Sequence, residues 1–425
     1  MGELRKFKAE AFDIMQYFYG SVHEPLIHSL IEFSGHIDEM VLKKAVSVST
    51  DINPLIRCYF NINHKYPYWK EKDFKGEDFV KVIACSSNEE EQKIKLLASK
   101  IDALNGPQLK IYVIRKQDSD ILCIIINHML CDGAGFKEYL YELSDLYTKC
   151  KKNIEIPKRE LASRSINQLF KNIKWHEKLN ILFSKSELSK QKNEVRYSLE
   201  GAKGNPLFIT IDITSEELEI IKAYGKLNGA TVNDIIITAY VRALYRKTGN
   251  ERIVIPCPID LRKYLSVEEE HGICNLTSNY ICDVIMDNNK SFADTLMDIS
   301  KQMILQKSNN NCLKPVILLE CFFNVLPFNL MKKLFDKVFT IPVVSYTNLG
   351  VIDKKQLNFD NIEISHIYLT GAIKHVPYFQ IAVSTYKGVC TISSNLFGSE
   401  NDKKNIIYFL NEMKKELMEL NKSLY

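Results

Sequence analysis

Ile121-Leu122-Cys123-Ile124-Ile125-Ile126-Asn127-His128-Met129-Leu130-Cys131-Asp132-Gly133 is the stretch whose reading decides the fold. Its apolar run, 121–126, has the length of a strand buried on both faces. The histidine then stands at the end of a rigid core strand. Asp132-Gly133 carries turn chemistry, and an amphipathic segment follows at 136–147. A side chain at a strand end is held firmly yet can face a crevice. A general base needs that combination to stay within hydrogen-bond reach of a substrate proton. Taken locally, a core histidine donating to a backbone carbonyl is the stronger competitor, because short motifs arise by chance.

Working outward, a strand at 109–114 and a turn at Gln117-Asp118-Ser119-Asp120 make the run at 121–126 the return arm of a hairpin, with a helix at 135–147 behind it. Upstream, the pattern predicts a strand from residue 26, a helix over 38–50, a turn at Asn53-Pro54 and a strand over 55–60. The Lys-rich, irregular segment at 149–195 reads as a crossover between domains. A second unit opens with a strand at 207–213. Thr214 and Glu217 then form a capping box for a helix over 216–227, which Asn228-Gly229 ends. Thr231 or Asn233 caps the next helix, 232–247, and a last amphipathic helix spans about 402–420. A chain of 425 residues exceeds one ordinary core. The expected division is 1–155, a linker over 156–200, and 201–425.

Apolar residues make up 46% and charged ones 25%, which is globular rather than disordered. With a net charge of only +4 and no long basic tract, nucleic acid is not an expected partner. The 11 cysteines are odd in number and none has C-x-x-C spacing, so free thiols in a reducing cytosol are expected. The charged start lacks a secretory apolar stretch, and Lys6 stands where N-myristoylation wants Ser or Thr. No apolar run is long enough to span a bilayer. A cytoplasmic protein without integral membrane association is expected.

Several segments together resemble one superfamily, that of chloramphenicol acetyltransferase, peptide-synthetase condensation domains, alcohol acetyltransferases and wax-ester synthases. Gly35-His36-Ile37-Asp38, followed by Asn53-Pro54-Leu55-Ile56-Arg57, is similar to its amino-terminal pattern. Residues Asn127 to Gly133 resemble the H-H-x-x-x-D-G signature, and Gly229-Ala230-Thr231-Val232-Asn233-Asp234 the helix start of the second lobe. Pro258-Ile259-Asp260-Leu261-Arg262 is similar to a P-x-D-L-R strand end. Gly272 and Asn275 match a G-x-x-N element, and Ser345-Tyr346-Thr347-Asn348-Leu349-Gly350 matches a late S-N-L-G element. The chain lacks the D-F-G-W-G element of the plant branch and lies nearer the bacterial alcohol-acetyltransferase-like and condensation-like branches.

The resemblance implies an α/β fold, an α+β two-layer sandwich of two chloramphenicol-acetyltransferase-like lobes with the active-site channel between them. It implies an acyltransferase moving an acyl group from an acyl-CoA or acyl-carrier-protein thioester to an alcohol or amine. His128 is the implied general base. Asp132, Gly133 and Arg262 are implied structural residues, with Asp132 and Arg262 paired. Ser345, Thr347, Asn348 and Asn275 are candidates for holding the substrate or its oxyanion. No tightly bound cofactor and no metal are expected, because coenzyme A or phosphopantetheine arrives with the substrate. Partners are then the thioester, a small acceptor and an acyl or peptidyl carrier protein.

Two features leave alternatives open. Asn127 replaces the first histidine of the signature and motivates a non-catalytic member that binds a carrier protein or scaffolds a pathway. Cys131 could be a nucleophile, or join His128 and Asp132 around a metal, although a lone cysteine is usually an inert small hydrophobe.

Overall fold

Every residue of the strand Asp120–Asn127 is buried. In the computed structural model, which describes residues 4–62, 65–184, 195, 197–265, 272–339 and 341–423, this strand is the centre of a five-stranded sheet. The sheet runs Ile364–Thr370, Leu26–Phe33, Asp120–Asn127, Leu109–Arg115, Val80–Ala84, antiparallel except for the last pair. Side chains alternate across a strand, and the central strand obeys this. Leu122, Ile124 and Ile126 join the main core with Tyr139, Leu140 and Leu143 of the helix Gly133–Lys151. Ile121, Cys123 and Ile125 join a second cluster with Leu97, Phe208 and Ile373. Both faces are covered, which is why the sequence shows a continuous apolar run rather than an alternation.

The helix Glu39–Ile52 packs against Gly133–Lys151. Its N-cap is Asp38, whose carboxylate accepts from the Met40 and Val41 N–H groups at 2.9 and 3.1 Å. After Asn53 the chain does not enter a strand directly. Pro54–Arg57 is a 3₁₀ turn and the strand is Cys58–Asn61, because proline pre-sets the first position of a helical turn and offers no N–H to a sheet.

A second sheet contains Val344–Ile352, Phe379–Tyr386 and Val389–Phe397, with Pro206–Ile213 antiparallel to the last of these. The helices Ser215–Leu227, Val232–Thr248 and Glu400–Glu419 pack around it. The expected capping box closes at Thr214 and Glu217, with N–H···O distances of 3.3 and 2.8 Å. Thr231 caps Val232–Thr248 in partnership with Asp234, so Asn233 is free for another contact. A hairpin of Arg252–Asp260 and Thr277–Ile285 packs against this lobe.

The fold is therefore a mixed α/β arrangement of two lobes. The lobes also exchange strands: Ile364–Thr370 completes the amino-terminal sheet, while His23–Glu24 pairs with Ile373–Lys374 at the margin of the second. A division at 156–200 does not anticipate that exchange. The segment itself carries a 3₁₀ turn, Ile166–Phe170, and a helix, Trp175–Phe183; its residues 185–194 and 196 lie outside the described ones. Among the described residues, no helix is long and apolar enough to cross a membrane.

Candidate active site

The loop that follows the central strand is pinned from both lobes. Asn127 is 1% exposed, and its amide donates to Gln108 Oε1 at 2.7 Å while its Oδ1 accepts the Met129 N–H at 3.0 Å. Gln108 in turn donates to the Cys58 and Ala103 carbonyls. Asparagine thus supplies the local side-chain-to-backbone bond that a tight turn after a strand requires, and the loop is held without the signature's first histidine.

His128 hangs from this loop. Its N–H donates to the Pro25 carbonyl at 2.8 Å, and its own carbonyl accepts from Asn275 Nδ2 at 3.0 Å. Asn275 comes from the second half of the chain and also donates to the Met129 carbonyl at 3.2 Å. The histidine keeps part of its surface open to solvent, although Met129, Leu130 and Cys131 beside it are fully buried. Its Nδ1 is buried and has no hydrogen-bond partner among the described residues. Burial, more than any other influence, lowers its pKa from the ordinary value; its own backbone carbonyl, then Asp132, oppose that, and the Lys374 charge adds to it. The net effect favours the neutral ring.

Asp132 does not orient His128. One oxygen caps the helix Gly133–Lys151, accepting from Gly135 N–H at 2.8 Å. The other accepts from Leu276 N–H at 2.8 Å and from Arg262 Nη1 at 3.2 Å. Arg262 also donates to the Cys274 carbonyl at 3.0 Å and pairs with Glu138 and Asp260 at 3.3 and 3.1 Å. Burial alone would lower its pKa, but the carboxylates of Asp132, Glu138 and Asp260 outweigh that and raise it. The Asp132 and Arg262 side chains are each 9% exposed. They form a buried pair that ties the two halves of the chain together beside His128. Arg262 is not a solvated surface charge.

Gly133 opens that helix with an ordinary backbone, so its role is space rather than turn geometry. A Cβ there would lie 2.1 Å from Leu349 Cδ2. Gly135 is tighter still in kind, since its Cβ would meet the Cys274 carbonyl at 3.0 Å. Of the late cluster, Asn348 is exposed and engaged with Asn233 and Gly350, each at 2.8 Å. Ser345 gives only a long 3.5 Å contact to the Phe379 carbonyl. Thr347 lies near Gly371, and its hydroxyl makes no hydrogen bond within the chain among the described residues. Burial, then Asp132, push the Cys131 thiol well above its usual range, so a thiolate nucleophile is disfavoured. Among the described residues no cluster could hold a metal ion.

Sequence reasoning missed Arg164. Its guanidinium makes a bidentate pair with Asp13 at 3.0 and 3.1 Å and donates to the Leu130 carbonyl at 2.9 Å, bracing the His128 loop from below. A surface hollow bounded by Lys8, Asn53, Leu161 and Ile273 has Arg164 in its wall, but it does not reach His128.

Two α/β lobes joined over a histidine loop define the class of fold to which the chain belongs. The condensation-domain family model matches residues 23–386, and the chain belongs to that family. It is 23% identical over 252 residues to bacitracin synthase 3 of Bacillus licheniformis, covering 57% of this chain and 4% of that protein. It is 25% identical over 254 residues to gramicidin S synthase 1 of Brevibacillus brevis, covering 55% of this chain and 22% of that one. The chain thus spans a small part of these relatives. In fold it is similar to the first condensation domain of the calcium-dependent antibiotic synthetase, with a TM-score of 0.71, 11% identity, and 98% and 96% of the two chains covered.

Proposed function

We propose that the protein transfers an acyl or peptidyl group from a phosphopantetheine thioester on a carrier protein to an amine-bearing acceptor, with His128 as the general base. The observation that carries this reading is a neutral, partly solvent-accessible imidazole on a loop gripped by residues of both halves. In the reaction the acceptor nitrogen bonds to the thioester carbon as His128 takes its proton. The carbonyl π pair moves to oxygen. On collapse the C–S bond breaks and the thiolate sulfur leaves, receiving a proton from the imidazolium. No covalent acyl-enzyme is needed because the thioester is already activated. Donor and acceptor would enter a channel between the lobes from opposite sides.

Membership in the condensation family and the similarity to peptide synthetases favour a carrier-bound donor and an amine over coenzyme A and an alcohol. The test is transfer from a carrier protein acylated on phosphopantetheine, run beside the same acyl group on coenzyme A, with amine and alcohol acceptors. Amide formation matched by thiol release from the carrier supports the reading. Carrier binding with no transfer to any acceptor would instead make the protein a carrier-binding scaffold.

A pH profile follows from the same geometry. Only neutral His128 can accept a proton, and burial lowers its pKa from the usual 6.5. The acid limb of kcat/KM is therefore expected below pH 6.5, with the rate rising as the ring deprotonates and then levelling. A limb centred above that value would contradict the burial argument.

A further inference from the structure

We propose that His23 is a second catalytic imidazole of this site, donating its Nε2–H to the oxyanion of the tetrahedral intermediate, and that Lys374 is the positioning residue that fixes its tautomer. This rests on the acyl-transfer reading above and supplies what that reading lacks, a donor for the developing negative charge.

The residues from which that donor was expected are largely committed. Asn348 is exposed and bonded to Asn233, and the Asn275 amide N–H groups are taken by two backbone carbonyls. The Thr347 hydroxyl and the weakly engaged Ser345 hydroxyl remain. In the short pairing where the lobes exchange strands, His23 lies opposite Lys374. From His23 the chain reaches His128 within two residues, since Pro25 accepts the His128 N–H at 2.8 Å.

His23 is 7% exposed, Lys374 is 9% exposed, and Lys374 Nζ lies 3.3 Å from His23 Nδ1. Among the described residues Lys374 makes no ion pair with a carboxylate. An ammonium group can donate but not accept, so Nδ1 must be the acceptor and the ring proton sits on Nε2. That nitrogen is buried with no partner among the described residues. A buried N–H without an acceptor is costly, and an anionic oxygen would satisfy it. Burial brings Lys374 to about 8, which leaves it charged at neutral pH, while burial and the neighbouring Lys374, His128 and His375 keep His23 neutral. The two imidazoles thus have opposite roles: His128, through Nε2 rather than its buried Nδ1, takes the acceptor's proton, and His23 steadies the oxygen.

The test uses the full chain with acyl-phosphopantetheine thioesters of short and medium length and a panel of amines, reading thiol release and amide. His23→Phe is expected to lower kcat by about 10²–10³-fold with little change in KM. His23→Gln, which can still present an N–H, should recover part of that loss. Lys374→Met should fall between them. Unchanged kcat in His23→Phe, or a kcat loss in Thr347→Val with none in His23→Phe, overturns the assignment. ¹⁵N NMR of the unliganded protein decides the tautomer without any substrate. A neutral His23 protonated on Nε2, and losing that preference in Lys374→Met, is expected; protonation on Nδ1 overturns it. If the wild type transfers nothing, or His128→Ala is fully active, the acyl-transfer reading itself has failed. An active wild type with an inert His128→Ala and a fully active His23→Phe sinks only the present inference.

Discussion

Replacing Asp132 by alanine is expected to destabilise the protein by about 3–5 kcal/mol, the usual cost of removing one member of a buried ion pair. Three contacts go at once: the helix cap to Gly135, the bond to Leu276 N–H and the pair with Arg262. The Arg262 guanidinium stays behind, still buried, with Glu138 and Asp260 as its remaining carboxylates. Those two are more exposed, so they offset only part of the loss. Arg262→Ala is expected to cost less, because Asp132 keeps both backbone donors. Denaturant unfolding of the two single variants and the double variant measures the coupling. A loss under about 1 kcal/mol in Asp132→Ala would mean that the pair does not join the halves of the chain as described.

The second large effect is on turnover alone. His128→Ala should lower kcat by about 10²–10⁴-fold, the range a positioned general base contributes. The fold should hardly change. The bonds at this position run through the main chain, from N–H to Pro25 and from Asn275 to the carbonyl, and alanine retains both. The ring nitrogen Nδ1 has no partner to lose. Matching melting curves with abolished transfer would separate chemistry from stability. Equal turnover would remove His128 from the mechanism.

What could be read from the chain beforehand has a physical pattern. The hairpin Leu109–Arg115 and Asp120–Asn127 was legible because burial on both faces writes an unbroken apolar run. Helix starts at Asp38, Thr214 and Thr231 were legible because capping is local chemistry within three residues. The pair Asp132–Arg262 is different. Its members lie 130 residues apart, and only a likeness to known patterns brought them together. Arg164 escaped because it stands in a basic, irregular segment, where one buried arginine looks like its solvated neighbours. The exchanged strands His23–Glu24 and Ile373–Lys374 are two residues each, too short for any alternation to show. Lys374 and His23 are therefore visible only once the lobes are assembled.

Asn127 carries a narrower lesson. As a departure from the family signature it motivated a non-catalytic reading, yet its amide donates to Gln108 and accepts from the Met129 N–H with good geometry. Gln108 lies on the loop entering the neighbouring strand, and its own bonds reach Cys58 and Ala103. A substitution in a motif is judged by the partners it finds, and those were not adjacent in sequence.

Transfer requires a thioester to thread between the lobes and bring its carbonyl to His128, whose loop both halves of the chain hold. A crystal structure with an acyl-pantetheine thioether analogue tests this most directly. The account predicts the analogue lying between the two sheets, with its acyl carbon beside His128 and the pantetheine arm reaching one surface. An analogue bound elsewhere, with His128 sealed off from it by packed side chains, would contradict the account.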